Sequence, residues 1–191
     1  MKTKKIALFG GSFNPIHNHH IKMANYVLEK NVADEVWIVP CKNHAFNKNL
    51  APANHRINMI NLAFDNPKIK INKVEIESEE TNYTIDTIRK LKKQYSHEFY
   101  WIIGSDVLYE MEEEWYGLPE LFKETEFIIF NRNNYLIHPL QNMKIKSILE
   151  IKTNNESSTE IRDRVKHRES LKNLVQLSIE EYIIKNKLYQ K

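Results

Sequence analysis

Residues 6–20, IALFGGSFNPIHNHH, decide the fold of this chain. An apolar run at residues 6–9 leads into two consecutive glycines, and an amphipathic segment begins at Ile21. An apolar run that ends in glycine is typical of a buried strand followed by a tight turn. His17 and His20 are three residues apart, so they share a face if a helix starts here. The stretch therefore predicts a strand-to-helix junction that carries paired imidazoles.

Such a junction is suited to binding phosphate. Backbone N–H groups after the two glycines and the N-terminus of the next helix attract anions, and His17 and His20 can donate to phosphate oxygens. A tight turn with surface histidines explains the same residues equally well. A histidine metal site is disfavoured because no cysteine or carboxylate with ligand spacing lies beside the candidate ligands. Those candidates are His17, His19, His20 and His44.

Strand and helix patterns alternate along the chain. Buried strands are predicted at residues 5–9, 35–39, 99–103 and 127–130, with an edge strand or two at 69–76 and a weaker strand at 145–151. Helices are predicted at residues 20–30, 56–64 and 118–123, from a Thr84 cap onward, from Ser157 onward, and near the C-terminus.

The alternation predicts an α/β fold. Short connections between the first two strands and their helix favour a right-handed, parallel βαβ unit. We therefore expect one domain over residues 1–191, a doubly wound, Rossmann-like parallel sheet with a C-terminal helical segment at residues 157–191. Ligands of such sheets bind at the carboxyl ends of the strands, at the topological switch point.

Composition excludes several classes of protein. The 28 Lys and Arg against 25 Asp and Glu give a net charge of only +3, and no dense basic stretch is interleaved with aromatics, which argues against a nucleic-acid binder. The single cysteine, Cys41, forbids an intramolecular disulfide. No apolar run has the length of a membrane span, and the N-terminus does not resemble a signal peptide. We expect a cytoplasmic protein without a membrane partner.

Three further motifs could bind a nucleotide. Residues 157–162, SSTEIR, combine a hydroxyl-rich helix start with an arginine, which suits a polyphosphate but also fits an ordinary capped helix. Asp106 follows a predicted strand, where a carboxylate can take ribose hydroxyls, help hold a metal, or simply cap a helix. Trp115, beside Tyr116, can stack on a flat ring or anchor the core.

Together these motifs resemble a known family. Their order is similar to that of the nucleotidyltransferases with an HxGH-type motif, and within them to the bacterial nicotinate mononucleotide adenylyltransferases. The stretches that carry the resemblance are GGSFNPIH at 10–17, YTIDT at 83–87, IIGSD at 102–106, WY at 115–116, Arg132, SSTEIR at 157–162 and YIIKNKLY at 182–189.

The resemblance implies adenylyl transfer from ATP to nicotinate mononucleotide, which gives nicotinate adenine dinucleotide and pyrophosphate in NAD biosynthesis. It implies His17, His20 and Arg162 as catalytic residues, Mg²⁺ bound through phosphates rather than by side chains, and it allows a homodimer. The implied ATP-binding residues are Gly10, Gly11, Ser12, Phe13, His17, His20, Asp106, Ser158, Thr159 and Arg162. The implied mononucleotide-binding residues are Lys48, Thr84, Trp115, Tyr116 and Arg132.

Two other functions fit the sequence. An adenylyl- or cytidylyltransferase could act on another phosphorylated acceptor, such as nicotinamide mononucleotide. Phosphopantetheine is disfavoured because a flexible acceptor needs no stacking platform. A nucleotide-binding protein without turnover is the second alternative.

The chain departs from the family pattern at three places. His19 stands where the family has a glycine that lets ATP approach the helix start, so we expect His19→Gly to tighten ATP binding. Asn14 stands where aspartate is frequent. The loop at residues 42–48 lacks the usual paired prolines, and only Lys48 transfers from it.

Overall fold

A computed structural model describes residues 2–42, 50–79, 82–131, 135, 137–151 and 156–190. Six strands form one sheet in which every neighbouring pair is parallel, in the order β3-β2-β1-β4-β5-β6. The strands are β1 Lys5–Gly11, β2 Glu35–Pro40, β3 Ile69–Ile71, β4 Glu98–Gly104, β5 Glu126–Asn131 and β6 Ile145–Glu150. The helices are α1 Asn18–Glu29, α2 Ala53–Ala63, α3 Thr84–Gln94, α4 Val107–Glu114, α5 Leu118–Glu124, α6 Ser158–His167 and α7 Leu177–Lys185.

Apolar clusters cover both faces of the sheet. Alternation along β1 sends Ala7 and Phe9 into one cluster, which contains buried residues of α1, α2 and α7. Ile6 and Leu8 enter the other cluster, which contains buried residues of α3, α4 and α5. The predicted doubly wound sheet is therefore confirmed.

The topological switch point lies between β1 and β4. Pairing of β1 with β2 continues to Gly11 opposite Pro40, but pairing of β1 with β4 ends at Leu8 opposite Trp101. Both strands continue for three residues beyond that pair. The two central strands thus part at their carboxyl ends, where ligands of this fold class bind.

Several element boundaries differ from the prediction. Residues 74–76, predicted as an edge strand, form a helical turn closed by hydrogen bonds from the Glu77 amide to the Lys73 carbonyl (2.9 Å) and from the Ser78 amide to the Glu75 carbonyl (3.3 Å). The apolar Val74 and Ile76 are only half-buried on this turn, and the polar Glu75 between them is the buried side chain. Tyr83, and not Thr84, is the N-cap of α3.

Helix α4 was not predicted. Acidic residues are frequent in this segment and obscured its helical periodicity. Leu108 and Met111, three residues apart, form its short buried stripe. Among the described helices, none is long and apolar enough to cross a membrane.

Candidate active site

The two glycines of the first motif lie where β1 ends, and neighbouring rings occupy the space beside them. A Cβ atom on Gly10 would lie 2.3 Å from the Trp101 ring, and one on Gly11 would lie 3.3 Å from the ring of Phe13. Phe13 itself has a positive φ of 46°. Packing alone therefore requires glycine at position 10, whatever binds to the turn.

His17 and His20 form a stacked pair. His17 is the N-cap of α1, and its backbone amide donates to Nδ1 of His20 at 3.4 Å. The two ring centroids are 3.7 Å apart, with an angle of 29° between the planes. Phe9 and Phe13 contact the His20 ring edge-on. The predicted pairing of imidazoles at the helix start is confirmed.

The His19 ring lies beside the ring of His17, with centroids 6.3 Å apart and an angle of 17° between the planes. The His19 side chain is 3% exposed and lies on the stripe that Met23 and Val27 continue at i+4 and i+8. Those two residues belong to the apolar core. The imidazole that replaces the family's glycine thus sits on the core-facing side of the helix.

Helix α6 docks on the first motif. Ser158 Oγ donates to the Pro15 carbonyl at 2.9 Å, and Arg162 Nη1 donates to the Asn14 carbonyl at 2.9 Å. The second guanidinium nitrogen of Arg162 donates to Thr159 Oγ1 at 3.2 Å. These bonds bring together the two predicted phosphate-binding motifs, which are more than 140 residues apart in the sequence.

The cap of α6 follows half of the predicted capping box. Ser157 Oγ accepts from the Glu160 amide at 3.1 Å. The Glu160 carboxylate pairs instead with Arg164, one turn along, at 2.8 Å. Ser157 thus caps α6, and the hydroxyl of the next residue, Ser158, reaches the first motif.

Arg56 is a structural residue of the site that sequence analysis missed. Its buried guanidinium donates to the carbonyls of Ser12 (2.8 Å), Cys41 (2.8 Å) and Ala51 (2.9 Å). Burial lowers the pKa of Arg56 from its ordinary value. An available signal was its spacing from Ile60 at i+4, because an arginine in the apolar stripe of a helix must find buried acceptors.

Tyr189 is the second residue that was missed. Its hydroxyl donates to Asn14 Oδ1 at 2.9 Å, and the same oxygen accepts from the Ala51 amide at 3.0 Å. Asn14, which replaces the family's frequent aspartate, thus receives two neutral donors. This contact joins the C-terminal end of the chain to the first motif.

Three of the predicted mononucleotide residues, Thr84, Trp115 and Tyr116, lie in or next to α3 and α5. The rings of Tyr83 and Tyr116 are 4.7 Å apart, and a Cβ atom on Gly117 would touch Ile85 at 3.4 Å. Thr84 opens α3 beside this contact. Tyr116 is 64% exposed, whereas Trp115 packs against the apolar cluster under α3, α4 and α5.

Asp106 lies directly after β4, at the N-cap position of α4. Its backbone is helical (φ −60°, ψ −36°), and its carboxylate makes no capping hydrogen bond to α4. The helix-cap interpretation is therefore weakened. Lys48, Arg132 and His44 lie outside the described residues. Within the described part of the chain, no group of three or more His, Cys, Asp or Glu is arranged around a potential metal site.

A cavity of about 880 Å³ lies elsewhere on the molecule. Its lining combines α5 with residues 140–142 and Lys144, next to the amino end of β6, and it shares only Trp115 with the predicted site residues. It therefore lies apart from the histidine pair.

The comparisons with known proteins agree with this geometry. The model of the cytidylyltransferase-like family matches residues 8–164. The nicotinate-nucleotide adenylyltransferase of Bacillus subtilis is 35% identical over 98% of this chain and 99% of its own. The chain belongs to the nicotinate-nucleotide adenylyltransferase family.

Solved structures of this family share the fold. The Plasmodium falciparum nicotinic acid mononucleotide adenylyltransferase complexed with NaAD matches with a TM-score of 0.84 and 28% identity, over 97% of both chains. The same protein complexed with APC matches with a TM-score of 0.82 and 25% identity, again over 97% of each chain. The family and the Rossmann-like fold predicted from the motifs are confirmed.

Proposed function

We propose that the protein transfers the adenylyl group of ATP to nicotinate mononucleotide and releases pyrophosphate. The observation that carries this proposal is the docking of α6 on the first motif, which places Ser158, Thr159 and Arg162 against the Asn14–Pro15 segment that leads into the stacked histidines. The Bacillus subtilis relative and the Plasmodium falciparum protein are both named for this activity.

The reaction needs no activated side chain. A 5′-phosphate oxygen of the mononucleotide attacks the α-phosphorus of ATP, a new P–O bond forms, and the bond from the α-phosphorus to the bridging oxygen breaks as pyrophosphate leaves. The protein contributes alignment of the two substrates and neutralisation of developing charge.

The described residues suit two roles on the ATP side. His17 and His20 are placed to donate to the α-phosphate, and the first turn of α6 offers amides, hydroxyls and the Arg162 guanidinium to the leaving β- and γ-phosphates. Asp106 is assigned to the ribose hydroxyls. Mg²⁺ enters with the ATP phosphates and supplies further charge neutralisation when bound.

On the acceptor side, Trp115 and Tyr116 are assigned to the site of the pyridine ring. The backbone near Thr84 is assigned to the carboxylate of that ring. Lys48 and Arg132 stay sequence-based predictions for the phosphate of the mononucleotide. The cytoplasmic location and a homodimer likewise stay predictions from the sequence.

One assay tests the proposal against its alternatives. Pyrophosphate release is measured with ATP or CTP and a panel of acceptors: nicotinate mononucleotide, nicotinamide mononucleotide, phosphopantetheine, and none. We expect the fastest release with ATP and nicotinate mononucleotide. Faster release with another acceptor would reassign the substrate, and ATP binding without release for any acceptor would indicate a non-catalytic nucleotide-binding protein.

A further inference from the structure

The helical turn at residues 73–78 buries one carboxylate close to the acceptor side. Glu75 is 7% exposed, whereas Lys73 and Glu77 on the same turn are exposed. A buried carboxylate is costly unless it is hydrogen-bonded, so its partners indicate what it does.

Those partners are residues at the start of α3. Thr87 Oγ1 donates to Glu75 Oε1 at 2.8 Å, and Thr87 is itself buried. The Asn82 side-chain amide donates to the Glu75 carbonyl at 3.1 Å. Thr87 lies one turn beyond Thr84, and its amide bonds the Tyr83 carbonyl at 3.0 Å. The Glu75 carboxylate therefore holds the first turn of α3 through Thr87, while its backbone carbonyl receives Asn82.

Charged groups reach this turn from the neighbouring elements. Lys90 of α3 donates to Ser78 Oγ at 3.1 Å, and Lys42, after β2, donates to the Ser78 carbonyl at 2.6 Å. The Cys41 thiol is close enough to Glu75 for the carboxylate charge to raise its pKa, and the Arg56 guanidinium of α2 donates to the Cys41 carbonyl. Hydrogen bonds thus tie the turn to α3 and to Lys42 just after β2.

Burial raises the pKa of Glu75 to about 7, because the hydrogen bond from Thr87 and the charge of Lys90 only partly offset the loss of hydration. The group therefore changes charge near neutral pH. Glutamine at position 75 would fill the same space without the cost of a buried charge. The stability of the fold therefore does not explain why the residue is glutamate.

We propose that Glu75 is a positioning residue, whose carboxylate fixes the first turn of α3 and thereby the Tyr83–Thr84 backbone that receives the acceptor. The inference rests on the proposed function, because the acceptor is taken to bind at Thr84. Ionised Glu75 accepts from Thr87, whereas the protonated acid carries a proton of its own and holds the threonine less firmly. The affinity for the mononucleotide should therefore fall as pH decreases through about 7.

The test compares Glu75→Gln with Glu77→Gln, a control at an exposed carboxylate of the same turn. KM for nicotinate mononucleotide, KM for ATP and kcat are measured from pH 6 to 8.5. We expect Glu75→Gln to raise the acceptor KM about tenfold at pH 8, the scale of one charge-assisted hydrogen bond. The KM for ATP and kcat should stay within about twofold, and the pH dependence of the acceptor KM should flatten. Glu77→Gln should match the unmodified protein.

Substitutions at Thr87 give a second approach. Thr87→Val removes the donor and should raise the acceptor KM by a similar factor, whereas Thr87→Ser keeps the hydroxyl and should restore it. The effects of Thr87→Val and Glu75→Gln should be less than additive, because both act on the same bond.

Two results would overturn the inference. The first is an unchanged acceptor KM and pH profile in Glu75→Gln. The second is an equal rise in KM for both substrates together with a lower melting temperature, which would indicate a purely structural role. Failure of the proposed function is separate. It would appear as no binding of nicotinate mononucleotide to the unmodified protein by calorimetry.

Discussion

At the residue scale, the protein itself fixes the orientation of the two imidazoles that are proposed to act on the α-phosphate. The His17 amide bonds His20, and Phe9 and Phe13 pack edge-on against the same ring. Groups that are oriented in this way need little reorganisation when charge develops on the α-phosphate. The pair therefore works as one unit, and loss of either ring should remove more than one contact.

His17→Ala tests this unit. We expect kcat for pyrophosphate release to fall about 10²–10³-fold, the usual effect of removing one donor to a developing charge. Circular dichroism should show an unchanged fold. His167→Ala, at the far end of α6, is the control and should keep full activity. Near-normal turnover in His17→Ala would remove His17 from the catalytic machinery.

His19 carries a different expectation. The sequence alone suggested that His19→Gly tightens ATP binding. The His19 ring is buried on the core-facing stripe of α1, however, so the substitution should act on stability instead. We now expect His19→Gly to lower the free energy of unfolding by about 2–4 kcal/mol, from a cavity plus a glycine in the helix. ATP affinity should change less than about twofold.

His19→Ala separates the two causes, since it opens the cavity without the backbone effect. Denaturant titration and calorimetry give both quantities. A large gain in ATP affinity in either variant, with stability unchanged, would place the ring in the path of ATP instead.

At the element scale, the amino ends of β1, β2 and β3 are joined by one buried carboxylate. Glu35 of β2 pairs with Lys4, just before β1, and with Lys70 of β3 at 2.8 Å, and it accepts from Trp37 Nε1 at 2.9 Å. Burial alone would raise the pKa of Glu35, but the hydrogen bonds from Lys4, Lys70 and Trp37 outweigh it and lower the pKa to about 2. The carboxylate therefore stabilises the edge opposite the active site.

Glu35→Gln should reveal this contribution through its pH dependence. A depressed pKa stabilises the folded state above the unfolded pKa of about 4.5, and that stability is lost as pH falls through about 2. We expect a loss of about 1–2 kcal/mol at pH 7 that shrinks toward pH 3. Glu29→Gln, at an exposed carboxylate, should show no such trend in urea titrations.

Sequence patterns predicted the elements unequally. The buried strands and the face shared by His17 and His20 follow from short-range spacing, so they could be predicted. The alternation of Val74, Glu75 and Ile76 predicted a strand with the two apolar residues inward, but this turn buries the carboxylate instead. Arg56 donates to carbonyls of separate loops, and no local sequence pattern predicts that these loops lie beside it. Trp101 could not be linked to Gly10 before β4 was placed beside β1.

At the scale of the whole molecule, the ATP side of the site is a junction between the two ends of the chain. Asn14 accepts from Arg162 through its carbonyl and from Tyr189 through its side chain. Burial raises the pKa of Tyr189 well above its usual range despite the nearby Arg162 and Arg56 charges, so its hydroxyl stays a donor. We therefore expect the Tyr189 hydroxyl to support the first motif through Asn14.

Tyr189→Phe should raise KM for ATP about threefold to tenfold and lower stability by about 1 kcal/mol, because one buried hydrogen bond is lost. Tyr182→Phe is the matched control. Its hydroxyl accepts from Asn58 at 2.8 Å and contacts His55, away from Asn14. It should cost similar stability and leave KM for ATP unchanged. Equal KM values in both variants would show that the chain end has no part in ATP binding.

The bond between Tyr189 and Asn14 spans 175 positions of the sequence. Contacts of such separation form after loop closure has ordered the intervening chain. During synthesis, a nascent chain can complete its first strand and helix early, but the bond between Asn14 and Tyr189 cannot form until Tyr189 has been made. We therefore expect recovery of ATP binding in a refolding experiment to coincide with the slowest phase. That phase should follow recovery of the helical circular-dichroism signal.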